Sequence, residues 1–140
     1  MPHLHTVSLT IDFGLLVLIW IVQAVIYPNF HYLEAKAFEQ RHRRYTRAMG
    51  FIAAPLMIAQ LSATSTLLFD SPTDLFRLLH FTLVAFTWIT TFLVSVPLHN
   101  KLHMGGRRQE IISKLVSTNW ARTAAWTTIF GISLADLAKR

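Results

Sequence analysis

Two imidazoles, an amide and a guanidinium fall close together in "VPLHNKLHMGGRRQEIISKLVSTNWARTAAW", Val96 to Trp126. His99 and His103 are spaced i, i+4, so on a continuous helix their rings share one face and can clamp a metal. Either ring can also carry a proton near neutral pH. Asn119, Arg122 and Trp126 follow i, i+3, i+7, again one helical face. A guanidinium presents five donors in a fixed fork, suited to carboxylate, phenolate or quinone-like oxygens. Upstream, Gln23, Tyr27 and His31 repeat at i, i+4, i+8, as do Thr91, Ser95 and His99. His42 and Tyr45 are i, i+3, and Pro55, Met57 and Gln60 fall at the same level of the next element. The chemistry open to this set is proton abstraction from an acidic carbon or a phenol by a histidine, with Arg122 and Asn119 stabilising the resulting oxyanion.

The elements that must position these groups are apolar. The chain has 140 residues, 53% hydrophobic and only 14% charged, against about 25% charged in an ordinary soluble domain. A spanning helix needs about 20 mostly apolar residues. Four runs meet that need, roughly 9–27, 49–69, 75–98 and 119–137. The expected fold is all-α: an integral membrane four-helix bundle, one transmembrane domain over residues 1–140, built as two helical hairpins. The first run lacks a preceding Lys or Arg and a small-x-small cleavage pattern, so it reads as a permanent helix.

The net charge is +6, but its placement argues against a nucleic-acid partner. Lys36, Arg41, Arg43, Arg44 and Arg47 lie between the first two runs. Lys101, Arg107, Arg108 and Lys114 lie between the last two, and the connection 70–74 has no Lys or Arg. The positive-inside rule makes the two basic loops cytoplasmic, with anionic lipid headgroups as their partners. The expected location is a bacterial inner membrane with both termini outside the cytoplasm; Lys139 and Arg140 oppose that orientation. The absence of cysteine excludes disulfides, thiolate metal sites and cysteine nucleophiles. No GxSxG, Walker loop or HExxH is present.

Residues 34–47 read as an interfacial helix, with Phe38 and Tyr45 on the membrane surface and the arginines in water. Gly105-Gly106 should stop the third helix, Ser117 or Thr118 should cap the fourth, and "DSPTD" should turn the chain between the second and third. Asp12, Arg77, His80 and Asp136 near the opposite ends read as interfacial pairs that pin the bundle. Each half carries a Pro, a nearby His and then an Arg (Pro28, His31, Arg47; Pro97, His99, Arg122). The loops differ in length, so an internal repeat is the weaker reading.

Two readings of the polar set stay open. Arg122 either reaches out to phosphate or turns inward to Asn119 or a ligand oxygen. His99 and His103 alone at a helix end are ordinarily a wet pair; adding His42 and His31 would give three or four nitrogens for a metal. No acidic residue inside the runs completes a di-iron carboxylate set. Trp20, Trp88 and Trp126 read first as bundle or lipid contacts.

"VPLHNKL" closing the third run and "NWARTAAW" opening the fourth resemble the anthrone-oxygenase-like family of small four-span membrane proteins, and "YPNF" and "APLM" resemble segments of a bacterial subgroup of it. The resemblance implies a pocket within the bundle and oxidation of a polyketide anthrone to an anthraquinone by dioxygen, without an established cofactor. Asn119, Arg122 and Trp126 sit where the family's helix-four motif falls. The family often has Asn after the helix-three proline, where this chain has His99, with Asn100 one residue later.

The expected function is thus a small oxygenase-like membrane oxidoreductase acting on an apolar phenol, anthrone or quinol. His99, Arg122 and Asn119 would be catalytic, and Tyr27, Gln23 and Trp126 would bind substrate. The cofactor would be none, or a metal held by His42, His99 and His103. The rival reading is a non-catalytic subunit of a larger membrane complex, or a small-solute transporter, in which the same residues form a structural polar knot. Gly14, Ala24 and Gly131 offer small surfaces for a second copy, without a GxxxG.

Overall fold

The computed structural model describes residues 2–139, the side chain of Pro2 excepted. These form four long helices, with no strand among them. Helix α1 comprises Pro2–Ile21, a π-helical turn at Val22–Ile26, an α-helical turn at Tyr27–Asn29 and a 3-10 turn at Phe30–Tyr32. Helix α2 is Ala35–Asp70. Helix α3 comprises Leu75–Thr90, a second π-helical turn at Thr91–Ser95, and Val96–Gly105. Helix α4 is Gln109–Ala138.

The two π turns have one cause. A proline has no N–H to donate, and its ring clashes with the carbonyl four residues back. Pro28 and Pro97 each lie two residues beyond a π turn. The N–H groups of Tyr27 and Val96, one residue before each proline, reach back five residues to the carbonyls of Val22 and Thr91. The wider turn gives the proline ring room without ending the helix. Pro55 lies inside α2 and leaves it continuous.

α1 packs against α2 and α4, and α3 packs against the same two, so the helices form a ring in chain order. Successive helices run in opposite directions. The ends of α1 and α3 and the starts of α2 and α4 share one end of the bundle, the loop end. The start of α1, the end of α4 and the connection 71–74 share the other, the terminal end. At this connection Asp74 caps α3, its carboxylate accepting from the N–H groups of Phe76 and Arg77 at 2.8 and 3.2 Å.

Several sequence expectations are corrected. Residues 35–47 are the first turns of α2, not a separate surface helix. At about 1.5 Å per residue, the 36 residues of α2 span about 54 Å, well beyond a hydrocarbon core of about 30 Å. Phe38 is fully buried and Tyr45 half-buried, because both pack on Phe30. α4 starts at Gln109, ten residues before the run that predicted it, with Arg108 at its N-cap position. Ser117 and Thr118 therefore lie inside the helix and donate to the Lys114 carbonyl. Asp12 and His80 are buried within the bundle, not interfacial. Arg77 and Asp136 do lie near the terminal end, paired with Asp70 at 2.9 Å and His5 at 3.0 Å.

Three helices, His3–Tyr32, Ala35–Asp70 and Leu75–Gly105, are long and apolar enough to cross a membrane. α4 is not among them. The cause is the polar groups it turns inward: Asn119, Arg122 and Thr123 are all buried, and hydropathy averaged along the chain counts them against the helix. The outer surface of the bundle is apolar, with Phe13, Val17, Trp20, Phe51, Ile58 and Leu93 exposed.

Gly105-Gly106 ends α3 as expected. Gly106 has φ 67 and ψ −157, a region open essentially to glycine alone. A Cβ on Gly105 would meet only the flexible Arg108 side chain, at 3.0 Å. Gly106→Ala should therefore cost on the order of 1–3 kcal/mol and Gly105→Ala distinctly less, read from thermal unfolding of the two variants in mild detergent.

Candidate functional site

Sequence spacing placed the polar groups on helix faces; packing joins them across helices. Tyr27 lies one residue past the π turn of α1 and His99 four residues past that of α3. The Tyr27 hydroxyl and His99 Nε2 are 3.0 Å apart. On the other side of the ring, His99 Nδ1 is 2.9 Å from His42 Nε2. His42 comes from the start of α2, stacked on Phe38 and edge-on to Phe30. Its Nδ1 is buried without a hydrogen-bond partner. The His103 ring centre is 4.7 Å from that of His42, and its Nε2 lies 3.1 Å from the Thr46 hydroxyl. Tyr27, His99 and His42 thus form one unbranched chain of hydrogen bonds.

That chain can carry a proton. With Tyr27 donating to His99 Nε2, His99 donates from Nδ1 to His42 Nε2, and His42 holds its proton on Nδ1. Moving both shared protons one place, from Tyr27 to His99 and from His99 to His42, leaves Tyr27 as the phenolate, His99 neutral and the proton on His42.

A second set is centred on Arg122. Its Nη1 donates to Ser95 Oγ at 2.9 Å and to Asn119 Oδ1 at 3.1 Å. Asn119 Nδ2 donates to Gln23 Oε1 at 2.8 Å, and Gln23 Nε2 donates to the Val116 carbonyl at 3.3 Å. Thr123 also donates to Gln23 Oε1. Both ends of the Asn119 and Gln23 amides are thereby occupied by protein, and these two residues hold Arg122 in place. The Arg122 guanidinium lies 5.1 Å from the centre of the Trp126 ring, and its Nε is buried without a partner. The indole N–H of Trp126 donates to Gln60 Oε1 at 3.2 Å.

The two sets meet at a cavity of about 40 Å³. Leu15, Leu18, Ile19 and Val22 of α1 line it with Tyr45, Met49 and Ala53 of α2; Tyr27, Arg122 and Trp126 border it as well. It lies between α1, α2 and α4, so α3 contributes no wall and His99 acts on it only through Tyr27. Leu18, Tyr45, Met49 and Ala53 are half-buried, which puts this wall of the cavity at the outer surface between α1 and α2. Its volume suffices for a diatomic molecule or roughly two waters.

The remaining sequence candidates separate. His31, in the last turn of α1, pairs with Gln109, the first residue of α4, away from the cluster. Thr91 donates to its own helix at the Thr87 carbonyl, and Pro55 is exposed on α2. As arranged, the histidines do not fit a shared metal. His42 and His99 direct nitrogens at each other, His103 Nε2 turns to Thr46, and no group of three or more His, Asp or Glu among the described residues could hold an ion.

A third set lies toward the terminal end; the sequence reading named Asp12 and His80 there as interfacial pairs and missed their burial with Gln60, Thr64 and Ser133. Asp12, fully buried, accepts from Gln60 Nε2 at 2.7 Å and from the Ser133 hydroxyl at 2.6 Å, and lies 2.9 Å from His80 Nε2. Thr64 Oγ1 is 2.6 Å from His80 Nδ1. The signal was an acidic residue inside an apolar run, which marks a functional position by default, with Gln60 and Thr64 at i, i+4 to receive it.

His42 and His103 precede and follow the apolar parts of α2 and α3. Burial lowers the His42 pKa from 6.5 to about 4, with the charges of His103 and Arg43 adding to the effect. Burial, then Arg43, lowers that of His103. The fold therefore favours neutral His42. The stability this supplies is complete above about pH 6.5 and is lost as pH falls toward about 4. Melting temperature should fall over that interval, and the fall should be shallower in His42→Gln, read by circular dichroism at constant ionic strength. In comparisons with known proteins, no family model matches the chain, and neither does any curated protein or solved structure.

Proposed function

We propose that this chain is a small integral membrane oxidoreductase of the oxygenase type, acting on an apolar phenol, anthrone or quinol. The observation that carries the proposal is the cavity itself: apolar walls, with the Arg122 guanidinium and the Tyr27 hydroxyl at its border, the latter wired through His99 to His42. The apolar outer surface and the three long apolar helices support membrane insertion. α4 crosses as the fourth span with its polar face turned into the bundle. Both basic loops face the cytoplasm, leaving the termini outside a bacterial inner membrane.

Substrate enters from the bilayer between α1 and α2, displacing the Tyr45 and Met49 side chains. Arg122 holds its oxygen, with the unpartnered Nε available to it. Tyr27, ionised through the His99–His42 chain, removes a proton from the activated carbon, and Arg122 stabilises the enolate or phenolate. For an anthrone, the carbanion then adds to dioxygen. Loss of the second C–H proton and cleavage of the O–O bond leave one oxygen in a new carbonyl and release the other as water. The balance is CH2 + O2 → C=O + H2O.

A second reading, a structural polar knot in a membrane subunit, is favoured by one observation: Gln23, Asn119, Thr123, Ser95 and Arg122 satisfy one another. The two readings separate on variants reconstituted in lipid nanodiscs and assayed for oxygen uptake with an anthrone or hydroquinone. Tyr27→Phe should lower the rate at least about a hundredfold while melting temperature and insertion stay near wild type, and Arg122→Lys, which keeps the charge but not the fork, should lower it as far with a smaller loss in melting temperature than Arg122→Ala. An absence of oxygen uptake in the wild-type protein, with Tyr27→Phe and Arg122→Lys both losing stability, would establish the knot instead.

A further inference from the structure

The terminal-end set has a composition that the oxidoreductase reading does not use. Asp12 of α1, Gln60 and Thr64 of α2, His80 of α3 and Ser133 of α4 bring polar groups from all four helices to one buried point. Their donors and acceptors can be counted. With Asp12 ionised, its Oδ1 accepts from Gln60 and its Oδ2 accepts from Ser133 and from His80 Nε2–H. His80 is then neutral, and Nδ1 accepts the Thr64 hydroxyl proton. Every group is satisfied, but one negative charge is left in the bundle. Adding a proton at His80 Nδ1 turns Thr64 into an acceptor and makes the set a neutral ion pair. Both states keep their hydrogen bonds, so the site exchanges one proton without repacking.

The site has an access route. A cavity of about 20 Å³ adjoins it, lined in part by Thr64, His80 and Ser133 and bordered by His5, Arg77 and Asp136 near the terminal end. That volume holds about one water, and its walls supply polar partners for it. The ionisable groups facing this region are His5 and Asp12 from α1, Asp70 from α2, Arg77 and His80 from α3, and Asp136 and Lys139 from α4. Four of these pair with one another, His5 with Asp136 and Arg77 with Asp70, and Arg77 also donates to the Leu67 carbonyl. Lys139 lies over the Phe76 ring.

We infer that Asp12, His80, Thr64 and Ser133 form a buried one-proton binding site, filled by water from the terminal end of the bundle. The site connects with the Arg122 cavity. Gln60 donates to Asp12 and accepts from Trp126, whose ring lies beside Arg122. Neither an amide nor an indole N–H passes protons on near neutral pH, so this link carries charge and orientation only. Protonation removes a negative charge from the far end of the link and favours an anion at Arg122; by reciprocity, binding such an anion promotes proton uptake. This last coupling rests on the proposed function, whereas the proton site does not.

The test uses the full chain in nanodiscs with 15N-labelled histidine. The His80 resonances, assigned by their loss in His80→Gln, should report the gain of a single proton at Nδ1 on acidification, with the Asp12 contact kept. Asp12→Asn should lower the proton affinity of His80 at least about tenfold, and Ser133→Ala, which leaves the ion pair in place, should change it less. No protonation of His80 Nδ1 while the fold persists, or one indifferent to Asp12→Asn, would overturn the site. Coupling is read separately, as uptake of protons on adding 4-nitrophenolate to wild type and its loss in His80→Gln. Binding of nitrophenolate without proton uptake would overturn the coupling alone, and no binding would count against the Arg122 reading while leaving the His80 titration to decide the site.

Discussion

A guanidinium inside a helical bundle has to be given acceptors, and that requirement organises the loop-end half of this molecule. Helical backbone carbonyls are largely engaged within the helix, and here side chains supply the acceptors. Ser95 supplies one from α3 and Asn119 another from α4. Asn119 is in turn fixed by Gln23 from α1. Three helices are thereby locked in register by one charge. Trp126, its ring beside Arg122, donates to Gln60 and draws in α2.

The two π turns let this arrangement coexist with the proline positions. A proline within an α-helix forces either a kink or a local widening. Here the widened turns fall on α1 and α3, the two helices that face each other across the ring. Tyr27 and His99 emerge just beyond them and meet at 3.0 Å. The backbone irregularity and the proton chain therefore occupy the same level of the bundle.

The number and order of helices were legible in the sequence because apolar runs and glycine punctuation are local signals. Gly106 stopped α3 where its residue type says it should. Arg122, Asn119 and His99 were legible as candidates because polar groups beside apolar runs are conspicuous. Their partners were not, since i, i+4 spacing gives the face of a helix but not which neighbour that face meets. The start of α4 was misread because residues 109–118 are charged and polar enough to resemble a loop, while Ile111, Ile112 and Leu115 bury their side chains against the bundle. The same limit hid the partners of Asp12 and His80. The members of that set are spread from residue 12 to residue 133, and only the closed ring of helices brings them together.

The overhang of α2 has a mechanical meaning. Its first turns carry Arg41, Arg43, Arg44 and Arg47, all exposed, on a rod that continues unbroken to Asp70. In a bilayer, such a charged collar is held at the headgroups of one leaflet, and a stiff rod transmits that position along its length. A change in bilayer thickness is then taken up at the opposite leaflet. In such a bilayer the terminal end, with its buried carboxylate, would be the part of the protein whose depth varies with the lipid.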